Sequence, residues 1–157
     1  MLLLTYFLSF VFDVLFVSNI HEFGHYSIGS ILGAEVISSS WGMVEFGFLN
    51  PIQSLIIGFS GGLFAVTYVV IVFGFSSHII SGINPQTEKG YNQKSYFESL
   101  IKSILLTVIS IQLFASFLEG LNLTLYREIT ANPFTIGFLM LSFSFISNIY
   151  FFKNNSF

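Results

Sequence analysis

The sequence predicts an all-α integral membrane fold with about four transmembrane helices and a short membrane-associated β-hairpin or loop between the first two. Hydrophobic residues make up 54% of the 157 residues, and charged residues make up only 8%. A soluble domain carries about 25% charged residues, so this chain has too few to cover a surface that faces water. We therefore expect a single membrane-embedded domain over residues 1–157, with lipid as its natural solvent.

Helices are predicted at the long apolar stretches, at about residues 2–32, 52–75, 100–121 and 134–152. Each is close to the roughly 20 residues needed to cross hydrocarbon. The first is expected to be retained rather than cleaved as a signal peptide, because no Lys or Arg precedes it and no small-residue cleavage site follows. Gly33 is expected to end this helix. Residues 34–50 mix β-branched and aromatic residues with Gly and Ser, which is typical of a hairpin or irregular loop. The polar residues 76–98 indicate an aqueous loop.

The charged and sulfur-containing residues exclude some classes of function. The chain has no Cys, so disulfides and Cys-based zinc sites are excluded. Its net charge is −3 without a basic patch, which excludes nucleic acid as a partner because phosphates would not be neutralised. All four lysines fall on the side of the membrane that holds both termini and residues 76–98, and only Arg127 falls on the other. The positive-inside rule therefore favours cytoplasmic termini.

A metal-ligand motif, His21-Glu22-Phe23-Gly24-His25, lies in the last third of the first predicted helix. Residues four apart lie nearly on one face of a helix, so His21 and His25 can bind one zinc ion. Glu22 can then reach a zinc-bound water and act as general base. The HExxH pattern also arises by chance, but ionisable residues at membrane depth are expensive and usually functional. A closed structural site would need a fourth protein ligand, so we expect one catalytic Zn²⁺ per chain.

The motif supplies two ligands, and a third has to come from elsewhere in the chain. The candidates are Asp13, Glu35, Glu45, His78, Glu119 and Glu128. Asp13 precedes His21 by eight residues, about 12 Å along a helix, which is too far to bind the same ion. Successive antiparallel helices bring the motif, residues 58–62 and Glu119 to a similar depth. We therefore expect Glu119 to be the third ligand, with Glu45 in the hairpin segment as the alternative.

Four stretches resemble the site-2 protease family of intramembrane zinc metalloproteases. They are HEFGHYSIGSILGAEV at 21–36, the hairpin segment at 34–48, GFSGG at 58–62, and Phe117-Leu118-Glu119-Gly120 in the place of the family's Leu-Asp-Gly. The resemblance implies a three-helix catalytic core, with His21 and His25 as zinc ligands, Glu22 as general base and Glu119 replacing the third-ligand Asp.

The chain also departs from the family pattern. Glu119 replaces an Asp, and Ile111 and Phe114 stand where the family often has Asn and Pro. The family's site usually lies toward the cytoplasm, which would place this amino terminus outside. That orientation is opposite to the one favoured by the lysines, and the sequence leaves the choice open.

The expected function is hydrolysis of peptide bonds in transmembrane substrates by a zinc-activated water. The alternative is a catalytically inactive, protease-like membrane protein that binds transmembrane segments. The expected partners are membrane lipids and a transmembrane protein substrate, and the oligomeric state stays open. Gly58, Gly61 and Gly62 either pack helices together or leave room beside the zinc for an unwound substrate. Gln112 is interpreted as a packing residue, and Asp13 as either a buried polar partner or a group facing a water-filled cavity.

Overall fold

A computed structural model describes residues 1–40, 43–121 and 133–153. The described residues form four helices that are long and apolar enough to cross a membrane. They are α1 (Leu2–Ile31), α2 (Pro51–Ser81), α3 (Glu88–Leu121) and α4 (Pro133–Lys153). Between α1 and α2 lie two strands, β1 (Val36–Ser40) and β2 (Met43–Phe46). The predicted fold class is therefore confirmed. The alternative ligand candidate Glu128 lies outside the described residues.

A single π-helical turn interrupts α1. The helix is α-helical over Leu2–Phe12, π-helical over Asp13–Val17 and α-helical again over Ser18–Ile31. The backbone N–H of Ser18 donates to the carbonyl of Asp13, five residues back rather than four. The turn therefore contains one extra residue, a feature found frequently at functional sites.

Gly33 ends α1, as the sequence predicts. It has a φ of 69°, a left-handed conformation that glycine adopts without a steric penalty. The N–H of Gly33 donates to the carbonyl of Ser30 at 3.1 Å, and the N–H of Ala34 donates to that of Gly29 at 2.9 Å. These bonds satisfy the last carbonyls of the helix and turn the chain back toward it.

The strands β1 and β2 form an antiparallel hairpin beside α1. Val36 pairs with Phe46 and Ser40 with Met43, and the register shifts between Val36 and Ser38. The ring of Phe46 occupies the space that a Cβ on Gly29 would need. This close contact places the hairpin against the carboxyl-terminal half of α1, where the HExxH motif lies.

The loop predicted at residues 76–98 is shorter than expected, because α2 ends later and α3 begins earlier than predicted. α2 begins at a capping box: the Asn50 side chain accepts from the Gln53 N–H at 2.9 Å, and the Gln53 side chain accepts from the Asn50 N–H at 3.1 Å. It then continues to Ser81, and α3 already begins at Glu88. Hydropathy identifies only the part of a helix that suits lipid. Because a helix satisfies its backbone hydrogen bonds internally, it can extend from that part into water.

The helices α1, α2 and α3 meet at an apolar core. Its buried members are Val17, Ala65, Val69, Leu105 and Val108. The helix α4 packs against α3 and the first part of α1. Many large apolar side chains stay exposed on the outside, including Leu15, Phe16, Val70 and Ile71. This surface is compatible with contact to membrane lipids. The up-and-down arrangement brings the end of α1, the start of α2 and the end of α3 together.

Candidate metal centre

His21 and His25 project from successive turns of α1 into the three-helix core. Both are buried, with 4% of each residue exposed. Their ring centroids are 4.6 Å apart. The ligand atoms of His21, Glu22 and His25 lie within 4.8 Å of one another. This group could therefore hold a metal ion, as the spacing of the motif predicts.

Glu119 reaches both imidazoles from the end of α3. Its Oε2 atom lies 3.0 Å from Nε2 of His21 and 3.2 Å from Nε2 of His25. Its side chain is 13% exposed. The alternative, Glu45, instead accepts a hydrogen bond from the Ser38 hydroxyl within the hairpin at 2.8 Å. Of these two carboxylates, Glu119 is the one in contact with both histidines.

The other ring nitrogens show which way each imidazole faces. Nδ1 of His25 lies 2.6 Å from the carbonyl oxygen of Ile57, which can only accept, so Nδ1 donates. Nδ1 of His21 lies 2.7 Å from Oε1 of Gln112, which also only accepts. A neutral ring that donates through Nδ1 carries a lone pair on Nε2. Both Nε2 lone pairs are therefore directed at the Glu119 carboxylate.

This donor set fits a zinc ion. A carboxylate oxygen that lies 3.0 Å and 3.2 Å from two nitrogen lone pairs is repelled by both unless a proton or a cation lies between them. Nε2 of His25 is buried and makes no hydrogen bond, although Oε2 of Glu119 lies 3.2 Å away, so a cation between them would satisfy both atoms. Ligands about 2.0 Å from a tetrahedral zinc are about 3.3 Å apart, close to the separations seen here. Two His and one carboxylate are also a known catalytic zinc set.

Glu22 faces the hairpin and a cleft on the surface. Its Oε2 atom accepts a hydrogen bond from the backbone N–H of Val44 at 2.9 Å. The cleft has a volume of about 270 Å³. Its lining residues are Asn19, Glu22, Phe23, Tyr26, Ser39, Ser40 and Val44. Glu22 therefore stands between the two buried histidines and a route to the outside.

Gly58, Gly61 and Gly62 are buried where α2 crosses α1 and α3. A Cβ on Gly58 would lie 2.8 Å from Cα of Gly120, and one on Gly62 would overlap Ser116. A Cβ on Gly61 would overlap the rings of both histidines. These contacts give the three glycines a role in close helix packing. Their predicted part in substrate binding is not tested by any contact in the chain and stays a prediction.

Gln112, outside the predicted ligand set, contacts His21, and Asp13 contacts Gln112. Nε2 of Gln112 donates to Oδ1 of Asp13 at 2.7 Å, while Oε1 of the same amide faces His21. The interpretation of Gln112 as a packing residue is therefore incomplete, because its amide bonds directly to a predicted ligand. The sequence held a signal for this: Gln112 precedes Glu119 by seven residues, about two helical turns, on the same face of α3.

Comparison of the chain with protein-family models, with curated proteins and with solved structures gives no match. The fold and the site define a helical protein with membrane-length helices and a candidate metal centre. The resemblance to the site-2 protease family rests on the residues quoted for it above.

Proposed function

We propose that this chain is an intramembrane zinc metalloprotease, an integral multi-pass membrane protein that hydrolyses peptide bonds of transmembrane substrates. The observation that supports this most is the position of Oε2 of Glu119, which lies 3.0 Å from Nε2 of His21 and 3.2 Å from Nε2 of His25. The nearby carboxylate of Glu22 adds the general base that hydrolysis needs. The polar cluster lies on helices whose other faces suit lipid.

Different residues would bind the metal and transfer the proton. His21, His25 and Glu119 would hold zinc, which supplies Lewis-acid activation of a water molecule. Oε2 of Glu22 is occupied by the Val44 N–H, which leaves Oε1 to take a proton from the attacking water. The same oxygen can then deliver that proton to the leaving amine of the cut peptide.

The cleft beside Glu22 is the route by which water and substrate would approach. Its lining includes the polar side chains of Asn19, Ser39 and Ser40, which suit water. Helical carbonyls are already hydrogen-bonded, so a transmembrane substrate must unwind locally before its carbonyl can be attacked. A substrate bound along this cleft would present an extended segment to Glu22 from the side of the hairpin.

The test combines zinc content with cleavage in purified protein reconstituted in lipid nanodiscs. The probes are fluorescent casein and single-span peptides that carry Gly and Pro near their centre. We expect about one zinc per chain in wild type and in Glu22→Gln, with cleavage lost in Glu22→Gln. The control is Glu35→Gln, a carboxylate near Gly47 in the hairpin region, which should cleave like wild type.

Three results would contradict the proposal. Wild-type cleavage by Glu22→Gln would remove Glu22 as the base. Zinc without cleavage by wild-type protein, or no zinc at all, would favour the inactive protease-like protein that binds transmembrane segments.

A further inference from the structure

A chain of two side-chain hydrogen bonds runs from Asp13 to the candidate ligand His21. Gln112 links them: its Nε2 donates to Oδ1 of Asp13 at 2.7 Å, and its Oε1 lies 2.7 Å from Nδ1 of His21. Gln112 is 4% exposed and His21 is 4% exposed. The link crosses from α1 to α3 and back, inside the helix bundle.

The chemistry of the amide gives this link a direction. Nε2 of Gln112 can only donate and Oε1 can only accept. A carboxyl oxygen of Asp13 that accepts from Nε2 therefore turns Oε1 toward His21. Oε1 in turn requires a proton on Nδ1 of His21, which leaves the lone pair on Nε2, the nitrogen that faces Glu119. Without Asp13, the amide could rotate and present its N–H₂ group to His21, which would favour the opposite tautomer.

The π turn at Asp13–Val17 brings Asp13 to the face of α1 that carries His21. Each residue of an α-helix advances by about 100°, so eight residues would place Asp13 about 80° away from the direction of His21. The extra residue in the π turn reduces the advance to about seven residues, which leaves the two side chains only about 20° apart. The π turn thus explains how Asp13, two turns before His21, reaches Gln112 on α3, which His21 also contacts.

We infer that Asp13 and Gln112 are positioning residues that fix the Nδ1–H tautomer and the ring orientation of His21, so that Nε2 is available as a metal ligand. This inference rests on the proposed zinc site and adds the two residues that orient one of its ligands. Partners that hydrogen-bond to a ligand histidine typically change metal affinity by about 10- to 100-fold when they are removed. Asp13 acts only through Gln112, since the acceptor at His21 is the amide oxygen.

The test uses full-length protein in lipid nanodiscs and two readouts. The first is zinc affinity, measured by competition with a chromogenic chelator. The second is the ¹⁵N NMR signal of His21 in metal-free protein at alkaline pH, which reports which ring nitrogen carries the proton. The variants are Gln112→Met, which keeps the length of the side chain, and Asp13→Leu, which removes the acceptor for the amide. Asp13→Asn keeps an acceptor oxygen and serves as the conservative rescue.

Matched controls come from buried polar residues on the same helices. Thr107→Val changes a buried residue of α3 that bonds to Ser103 and Ser147. Ser9→Ala changes a buried residue of α1 one turn before Asp13. Both should bind zinc within about twofold of wild type, since neither contacts the site.

We expect Gln112→Met and Asp13→Leu to bind zinc about 10- to 100-fold more weakly and to lose the Nδ1–H form of His21. Asp13→Asn should retain most of the affinity and that tautomer. Wild-type affinity together with an unchanged tautomer in Gln112→Met and Asp13→Leu would overturn the inference. If Asp13→Leu does not fold, Gln112→Met decides alone. Absence of zinc from wild-type protein would contradict the proposed function, whereas the tautomer measurement would still decide whether these two residues orient His21.

Discussion

Oε2 of Glu119 lies 3.0 Å from Nε2 of His21, although 98 residues separate them along the chain. The contact arises because α1 and α3 run in the same direction through the bundle and α2 returns between them. The small residues of α2 let both neighbours approach closely. The carboxylate at the end of α3 thus meets the imidazoles near the end of α1, and the candidate metal centre depends on this packing.

Replacement of Gly61 by Ala is expected to abolish zinc binding while the helices persist. The added Cβ would overlap the rings of His21 and His25, so the imidazoles would have to rotate away from Glu119. The measurement is zinc content of purified protein, with circular dichroism as the check on helicity. Gly74→Ala is the matched control on α2, because no atom lies within 4 Å of a Cβ there. Stoichiometric zinc in Gly61→Ala would show that the histidines do not hold the ion in this arrangement.

Replacement of Gly58 by Ala should destabilise the helix bundle by about 1–3 kcal/mol, the usual effect of overpacking. The new Cβ would lie 2.8 Å from Cα of Gly120 and 2.9 Å from the Glu119 carbonyl. Both are backbone atoms, so α2 and α3 would have to separate. Reversible unfolding in mixed detergent micelles measures the effect, again against Gly74→Ala. A Gly58→Ala protein as stable as that control would contradict the close approach of α2 and α3.

Replacement of Val44 by Pro should lower kcat about tenfold without loss of zinc. Proline has no backbone N–H, so Oε2 of Glu22 would lose the donor that holds it at 2.9 Å. A hydrogen bond to a charged group contributes about 1.5–3 kcal/mol, enough for such an effect on the position of a general base. The control is Val44→Ala, which shortens the side chain and keeps the N–H. Equal kcat in Val44→Pro and Val44→Ala would show that this bond does not position Glu22.

The sequence predicts the three metal ligands because one helix periodicity and one rule of helix topology are enough to bring them together. Residues four apart share a helix face, which pairs His21 with His25. Antiparallel helices of similar length bring their ends to the same depth, which favours Glu119, whereas the rise along the helix excludes Asp13. Neither argument requires knowledge of side-chain packing.

The contacts that Asp13, Gln112 and Glu22 make around the predicted ligands depend on irregular features that the sequence does not predict. The π turn that brings Asp13 toward Gln112 contains no Pro or Gly, so the sequence does not predict it. The contact between Glu22 and Val44 depends on how the chain turns at Gly33 and on the packing of Phe46. The sequence does not predict the start of α3 at Glu88, because polar residues suit a helix in water as well as a loop.

Zinc content of wild-type protein and of His21→Ala, Glu119→Ala and Glu45→Ala tests the central claim most directly. Each protein is purified without chelator in lipid nanodiscs and analysed by inductively coupled plasma mass spectrometry. We expect about one zinc per chain in wild type and in Glu45→Ala, and almost none in His21→Ala or Glu119→Ala. Equal zinc in all four proteins, or loss of zinc in Glu45→Ala but not in Glu119→Ala, would contradict the proposed site.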